Sequence, residues 1–203
     1  MKNNFTLQEG GKMKTIGVLG LQGGVEEHLK MLSGIKGVKP VEVKYIEELE
    51  KIDGLIIPGG ESTTLSRLLR SFNMLEPLKN KIKEGLPTWG TCAGMILLAK
   101  NIEDEPMYHL GTMDVSVKRN AYGRQLGSFQ VESDIEKMGI KGMPLVFIRA
   151  PYIIEARKDV EILLKQEDKI VACRQANMLA TSFHPELTED NRVHEYFINE
   201  FVN

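Results

Sequence analysis

Charge of one sign, cysteine, aromatic residues and long apolar runs are all scarce in this chain. Its 26 Lys and Arg stand against 28 Asp and Glu, and no block of like charge breaks the balance. That removes the basic footprint of a nucleic-acid binder and the acidic bias of a disordered chain. The longest apolar stretches, such as residues 95–99, fall far short of the roughly 20 residues that a membrane-spanning helix needs. Neither nucleic acid nor membrane is an expected partner. Two cysteines, Cys92 and Cys173, are too few for a stapled extracellular domain, and the chain shows no secretory leader. Reduced thiols in a cytoplasmic protein are the expectation. Two dispersed cysteines and four scattered histidines form no ligand cluster, so no metal site is expected either.

What is present suits one sizeable α/β domain. Residues 1–12 are polar, end in Gly10-Gly11-Lys12 and lack an apolar core. They read as a disordered or added extension, with a single folded domain over 13–203. A β-prone run at 15–19 meets the glycine-rich stretch Gly20-Leu21-Gln22-Gly23-Gly24, and 25–32 follows as a helix. Strand, tight turn and helix open a parallel α/β unit. A second strand is expected at 41–45 and a short helical piece at 46–51. The continuous apolar run 54–58 signals a strand covered on both faces. Leu65, Leu68, Leu69 and Phe72 give 62–72 helical spacing. A further helix at 78–84, a brief strand at 87–90, a turn at 91–94 and a helix start over 95–100 complete this half.

In the second half, strands are expected at 113–117, 127–131, 145–148, 153–156, 162–165, 170–173 and 178–183, with little helix between them. Hairpins fit that rhythm better than crossovers. A closing helix over 188–201 carries Val193, Tyr196, Phe197 and Phe201 on one side. The expected fold is a three-layer, doubly wound, flavodoxin-like mixed sheet, mostly parallel with an antiparallel portion in the second half.

The most informative segment is Gly90-Thr91-Cys92-Ala93-Gly94, lying between an apolar strand and an apolar helix. This G-x-C-x-G is the cysteine form of a nucleophile elbow, in which glycines permit a sharp strand-to-helix turn. A residue at such a turn projects from the C-terminal edge of the sheet. It also sits at a helix N-terminus, where free N–H groups favour a thiolate. The amide of Ala93 would point to where an oxyanion forms. The competing reading is a small buried hydrophobe beside a glycine turn; Cys173, in an apolar strand, is read that way.

A thiolate nucleophile needs a proton shuttle. His184 lies in Phe183-His184-Pro185-Glu186, directly after an apolar strand. On an extended backbone residues two apart share a side, so His184 and Glu186 would face each other, with Pro185 holding the segment out of helix. His28 and His194 fall within helices where a polar face is expected, and His109 in a turn. These three are read as structural or solvated.

Together these residues resemble the class I glutamine amidotransferases and, more closely, the glutaminase subunits of pyridoxal 5′-phosphate synthase. The resemblance rests on six ordered segments: Ile16-Gly17-Val18-Leu19-Gly20-Leu21-Gln22-Gly23, Pro58-Gly59-Gly60-Glu61-Ser62-Thr63-Thr64, Gly90-Thr91-Cys92-Ala93-Gly94, Arg119-Asn120-Ala121-Tyr122-Gly123-Arg124-Gln125, Phe147-Ile148-Arg149-Ala150-Pro151 and Phe183-His184-Pro185-Glu186. It implies that Cys92 attacks the side-chain amide of L-glutamine, releasing ammonia and then glutamate by way of a thioester. His184 would move protons and Glu186 would orient it. Gly60 would join Ala93 in the oxyanion hole. Gly60, Glu61, Ser62, Arg119, Ile148 and Arg149 would bind glutamine; an α-carboxylate suits a bidentate guanidinium, although arginines in loops are also common at ordinary surfaces. It implies no cofactor. The ammonia would pass to a (β/α)₈-barrel synthase subunit that builds pyridoxal 5′-phosphate, and docking would reorient the Gly59-Gly60 loop.

Two positions depart from the family pattern. Gly24 stands where alanine is expected, and Tyr122 where phenylalanine is common; neither is expected to bear on the chemistry. Two other classes remain open, a cysteine peptidase built on the same elbow and a non-catalytic regulatory subunit. Phosphate binding by residues 20–24 is disfavoured, because neither G-x-x-x-x-G-K-[ST] nor a clear G-x-G-x-x-G is present.

Overall fold

The computed structural model describes residues 12–104, 109–119 and 127–202. Residues 1–11, which hold nearly all of the polar extension, and 120–125 of the quoted Arg119 segment lie outside them. The first half alternates strand and helix: β1 (Lys14–Leu19), α1 (Val25–Ser33), β2 (Val38–Val43), β3 (Gly54–Ile57), α2 (Ser62–Ser71), α3 (Leu75–Lys83), β4 (Thr88–Thr91) and α4 (Ala93–Leu98). A 3₁₀ segment, Ile46–Lys51, precedes β3. The second half is built of strands: β5 (Ala99–Ile102), β6 (Met113–Lys118), β7 (Ser128–Ile135), β8 (Ile140–Ile148), β9 (Tyr152–Ala156), β10 (Glu161–Gln166), β11 (Lys169–Gln175) and β12 (Met178–Thr181), closed by α5 (Arg192–Phe201).

The main sheet runs β2-β1-β3-β4-β12-β11-β9-β6-β5, with β10 paired to β11. From β2 to β12 every neighbour is parallel; β12, β11, β9 and β6 then pair antiparallel. Strands β3, β4 and β12 are buried at every position, as the middle of a sheet covered on both faces requires. On one face Leu65, Leu69, Leu78, Ile82 and the α4 side chains pack together. On the other, Val25 and Leu32 of α1 and Val193, Phe197 and Phe201 of α5 pack with Met143, Leu145 and Phe147 of the separate β7–β8 hairpin. The three-layer mixed α/β architecture is therefore as expected from sequence.

Several local readings are corrected. The helix over 95–100 starts earlier, at Ala93, and ends at Leu98, where the chain turns extended and continues as β5, which the sequence reading missed. β2 lies three residues earlier than expected at its start, and α3 begins at Leu75 rather than 78. Phe72, expected on the apolar stripe of α2, caps its C-terminus and is exposed. Residues 188–191 do not join the last helix: a 3₁₀ turn, Pro185–Leu187, comes first and α5 starts at Arg192. Among the described residues no helix is long and apolar enough to cross a membrane.

Candidate active site

Three adjacent parallel strands deliver the site. In register, Ile57 of β3 pairs with Gly90 of β4, and Thr91 of β4 with Thr181 of β12. The residues just past those rungs therefore emerge side by side at the C-terminal edge, where open α/β sheets hold their ligands. They are Gly59 and Gly60 after β3, Cys92 after β4, and His184 and Glu186 after β12.

Cys92 adopts φ 47°, ψ −99°, a left-handed conformation that a β-carbon disfavours, and it caps the N-terminus of α4. The flanking glycines make the turn possible. A β-carbon on Gly90 would lie 2.5 Å from the Gly94 carbonyl carbon, and one on Gly94 would collide with the Ile57 carbonyl oxygen. Cys92 is only 7 % exposed. It is thus recessed rather than projecting, as the elbow reading expected, yet it lines a cleft of about 320 Å³. That volume lies at the lower end of the range for small-molecule sites. The Cys92 Sγ lies 4.0 Å from the Ile148 carbonyl oxygen.

His184 Nδ1 sits 2.7 Å from Glu186 Oε1, both groups buried. The sequence argument found this pair by the wrong route. The segment is not extended: His184 precedes the 3₁₀ turn and Pro185 occupies its first position, where a missing N–H costs nothing. The turn, not a strand, brings the carboxylate back to the ring. His184 Nε2 makes no hydrogen bond among the described residues. The point where a β-carbon on Gly59 would sit lies against both the His184 ring and the Cys92 β-carbon, so thiol and imidazole flank one spot. Burial works against an imidazolium here, but the Cys92 sulfur and the Glu186 carboxylate outweigh it and hold His184 at about 10. Such a ring stays cationic at neutral pH beside the Cys92 sulfur.

The other expected residues gather on the same cleft. Gly60, Glu61, Ser62, Arg119, Ile148 and Arg149 all line it. Glu61 caps α2, accepting from the Thr63 and Thr64 amides at 3.0 and 2.6 Å. Desolvation opposes its charge, but these bonds and the Thr64 hydroxyl outweigh that and lower its carboxyl to about 2. Arg119 Nη2 stands 3.5 Å from Glu61 Oε1. Ser62 lines the cleft, and its buried Oγ has no hydrogen-bond partner among the described residues. Arg149, at φ 44°, is a second left-handed residue in the site.

Sequence reasoning missed four contributors. Gln22 lines the cleft, and its Oε1 accepts the Glu61 amide at 3.0 Å. The glycine-rich turn after β1 is thus more than a strand cap: Gly24 also donates its N–H to the Gly59 carbonyl at 3.1 Å. Gly24 itself was read as irrelevant to the chemistry, yet a β-carbon there would lie 3.2 Å from Glu186 Oε1. His28 and His194, read as lying on polar faces, are fully buried behind Glu186. The signal was available: His28 shares a stripe with Val25 and Leu32, and His194 lies one turn from Phe197 and Ile198.

Comparison with known proteins gives the family. The SNO glutamine amidotransferase family matches residues 18–203. Pyridoxal 5′-phosphate synthase subunit PdxT of Ruminiclostridium cellulolyticum is 60% identical over 185 residues, 91% of this chain and 98% of that protein. The same subunit from Clostridium botulinum is 54% identical over 190 residues, 94% and 98% of the two chains. A crystal structure of a glutamine amidotransferase superposes with a TM-score of 0.85 at 44% identity, covering 91% of this chain and 97% of that one. The chain belongs to the SNO glutamine amidotransferase family.

Proposed function

We propose that this chain is the glutaminase subunit of a pyridoxal 5′-phosphate synthase, hydrolysing L-glutamine to L-glutamate and ammonia through a thioester on Cys92. The observation that carries the reading is the meeting of a strained, cleft-lining cysteine with the buried His184–Glu186 pair. Its family and its PdxT relatives supply the substrate and the assembly.

The steps follow from the groups present. Sγ of Cys92, as thiolate, attacks the side-chain carbonyl carbon of glutamine, and the carbonyl electrons move onto oxygen. The Ala93 and Gly60 amides stabilise that oxyanion. The His184 imidazolium gives its proton to the departing nitrogen, and ammonia leaves as the thioester forms. Neutral His184 then takes a proton from water, hydroxide adds to the thioester, and the C–S bond breaks to return thiolate and glutamate. Glu186 holds the ring in one tautomer throughout. Arg119 and Arg149 bind the α-carboxylate of glutamine, with Glu61 and Ser62 available to its ammonium.

Ammonia in neutral water is mostly protonated and no longer nucleophilic, a physical reason to deliver it directly to a (β/α)₈-barrel synthase subunit. The Gly59–Gly60 loop is tied to the Gln22–Gly24 turn by the bonds described above, so a partner pressing on that turn would move the oxyanion donor. The test is glutamate release from glutamine with and without the synthase subunit. Wild type is expected to be active with its partner and much slower alone, with Cys92→Ala and His184→Asn inactive in both. Unimpaired hydrolysis by Cys92→Ala refutes the mechanism; equal rates with and without partner refute the coupling alone.

A further inference from the structure

Behind the triad lies a group of polar side chains that the mechanism leaves unused. His28 of α1 and His194 of α5 come from opposite ends of the chain and are both fully buried. Their rings approach through His28 Nδ1 and His194 Nε2 at 2.9 Å. The other nitrogen of His28, Nε2, faces Thr91 Oγ1 at 3.3 Å and Glu186 Oε2 at 3.4 Å. Trp89 packs edge-on against both rings, at 5.7 and 4.9 Å between centroids, and its indole N–H is fixed on Thr181 Oγ1 at 3.1 Å.

We infer that His28, oriented by His194, is a positioning residue for Glu186: His194 Nε2–H donates to His28 Nδ1, and His28 Nε2–H thereby faces Thr91 Oγ1 at 3.3 Å and Glu186 Oε2 at 3.4 Å. The inference rests on the glutaminase reading above, and two arguments fix the direction of the protons. Between two neutral imidazoles one proton occupies the 2.9 Å contact. If His28 supplied it, Nε2 would present a lone pair to a carboxylate oxygen 3.4 Å away, acceptor against acceptor. His194 would then carry its proton on Nδ1, which has no partner among the described residues, leaving a buried N–H orphaned. Orphaned donors are rarer in proteins than under-satisfied acceptors. If His194 supplies the proton, both difficulties vanish.

The neutral state of the rings is part of the device. Burial first, then His194 and His184 nearby, push His28 well below its ordinary value, and burial pushes His194 down to about 3. Glu186 Oε1 is engaged by His184, whereas Oε2 has no hydrogen bond of regular geometry among the described residues. A cationic neighbour there would satisfy Oε2 but would also cancel the charge that Glu186 offers the His184 imidazolium. A neutral N–H set on Thr91 Oγ1 and 3.4 Å from Oε2 gives the carboxylate a polar backing and leaves its charge directed at the catalytic ring. Around bound metals, a partner that orients a coordinating group is worth about 10–100-fold in activity, and the same order is expected of a residue that orients Glu186.

The test compares wild type, His28→Leu and His28→Gln in full-length protein with its synthase subunit, alongside Cys92→Ala. His28→Leu should lower kcat by about 10–100-fold with KM for glutamine within about threefold of wild type, since the cleft is untouched. His28→Gln, whose side-chain amide offers an N–H near the same place, should recover most of that loss. A folded His28→Leu protein with wild-type kcat, or an equal loss in both variants, overturns the inference. If His28→Leu does not fold, the nitrogen-15 NMR of the wild-type imidazoles decides: His28 and His194 must both be protonated at Nε2, and a His28 protonated at Nδ1 overturns it. An inactive Cys92→Ala with normal His28→Leu condemns only the relay. An active Cys92→Ala condemns the glutaminase reading, while the tautomer result stands by itself.

Discussion

Cys92 donates its backbone N–H to the carbonyl of Thr181 at 2.8 Å, extending the parallel β4–β12 ladder just past its last paired rung. That one bond ties the Cys92 backbone to the strand that leads into His184 three residues later. The relative position of sulfur and imidazole is therefore set by sheet register rather than by a flexible loop, as preorganised catalysis requires.

The turn that allows this tolerates no extra atom on either side. Gly90→Ala would press a methyl against the Gly94 backbone, and Gly94→Ala against Ile57, where no flexible side chain can yield. Each is expected to cost about 3 kcal/mol or more, a fall in Tm of about 6–12 °C for a chain of this size. Thermal melts of the two variants, compared with Gly85→Ala as a control, test this. The control tests strain alone, because Gly85 at φ 110° has open space around it.

Glu186→Gln removes the charge facing His184 but keeps the shape. The ring loses its fixed tautomer and part of its support as a cation, so kcat should fall by about 10²–10⁴-fold with little change in KM. Steady-state glutaminase kinetics in the presence of the synthase subunit provide the measurement. A variant within a few-fold of wild type would mean that the 2.7 Å contact is incidental.

How much of this the sequence disclosed depended on the physics involved. The central strands were legible because burial on both faces leaves continuous apolar runs, as in residues 54–57. Cys92 was legible because G-x-C-x-G has few uses besides a sharp turn. β5 escaped notice since Ala99–Ile102 is short, exposes its two middle residues and follows α4 without a break. His184 and Glu186 were paired by spacing, although the spacing works through a 3₁₀ turn and not through an extended segment. His28 and His194 were hidden by assuming that a histidine on an amphipathic helix faces water. Their partners come from β4, the turn after β12 and each other, and no local pattern announces contacts 63 to 166 residues apart.

The proton affinity of His184 makes a separate, signed prediction. Its ring is held at about 10 in the folded protein against an ordinary 6.5. A group whose folded value is raised contributes stability that is complete below the unfolded value and is lost as pH rises through the folded one. Urea unfolding should therefore show wild type losing, between about pH 6.5 and 10, a margin over His184→Asn on the order of a few kcal/mol. The Cys92 sulfur is a leading cause of the upward shift, so His184 in Cys92→Ala should titrate below its wild-type value by imidazole NMR. An unchanged titration there would separate the two groups and undo the ion-pair reading.

Arg149 offers a test in which stability and function part company. Its backbone stands at φ 44°, a conformation that glycine adopts without strain, while the residue lines the cleft beside Cys92. Arg149→Ala and Arg149→Gly both remove the guanidinium and should both raise KM for glutamine by about tenfold or more, with kcat much less affected. They should differ in the melt. Relief of a left-handed φ favours the glycine variant by about 1 kcal/mol over alanine, even after glycine's greater freedom in the unfolded chain is counted against it. If the two variants melted together, the backbone at 149 would be under no strain. If KM stayed at the wild-type value in both, the α-carboxylate of glutamine would be held elsewhere, with Arg119 the next residue to replace.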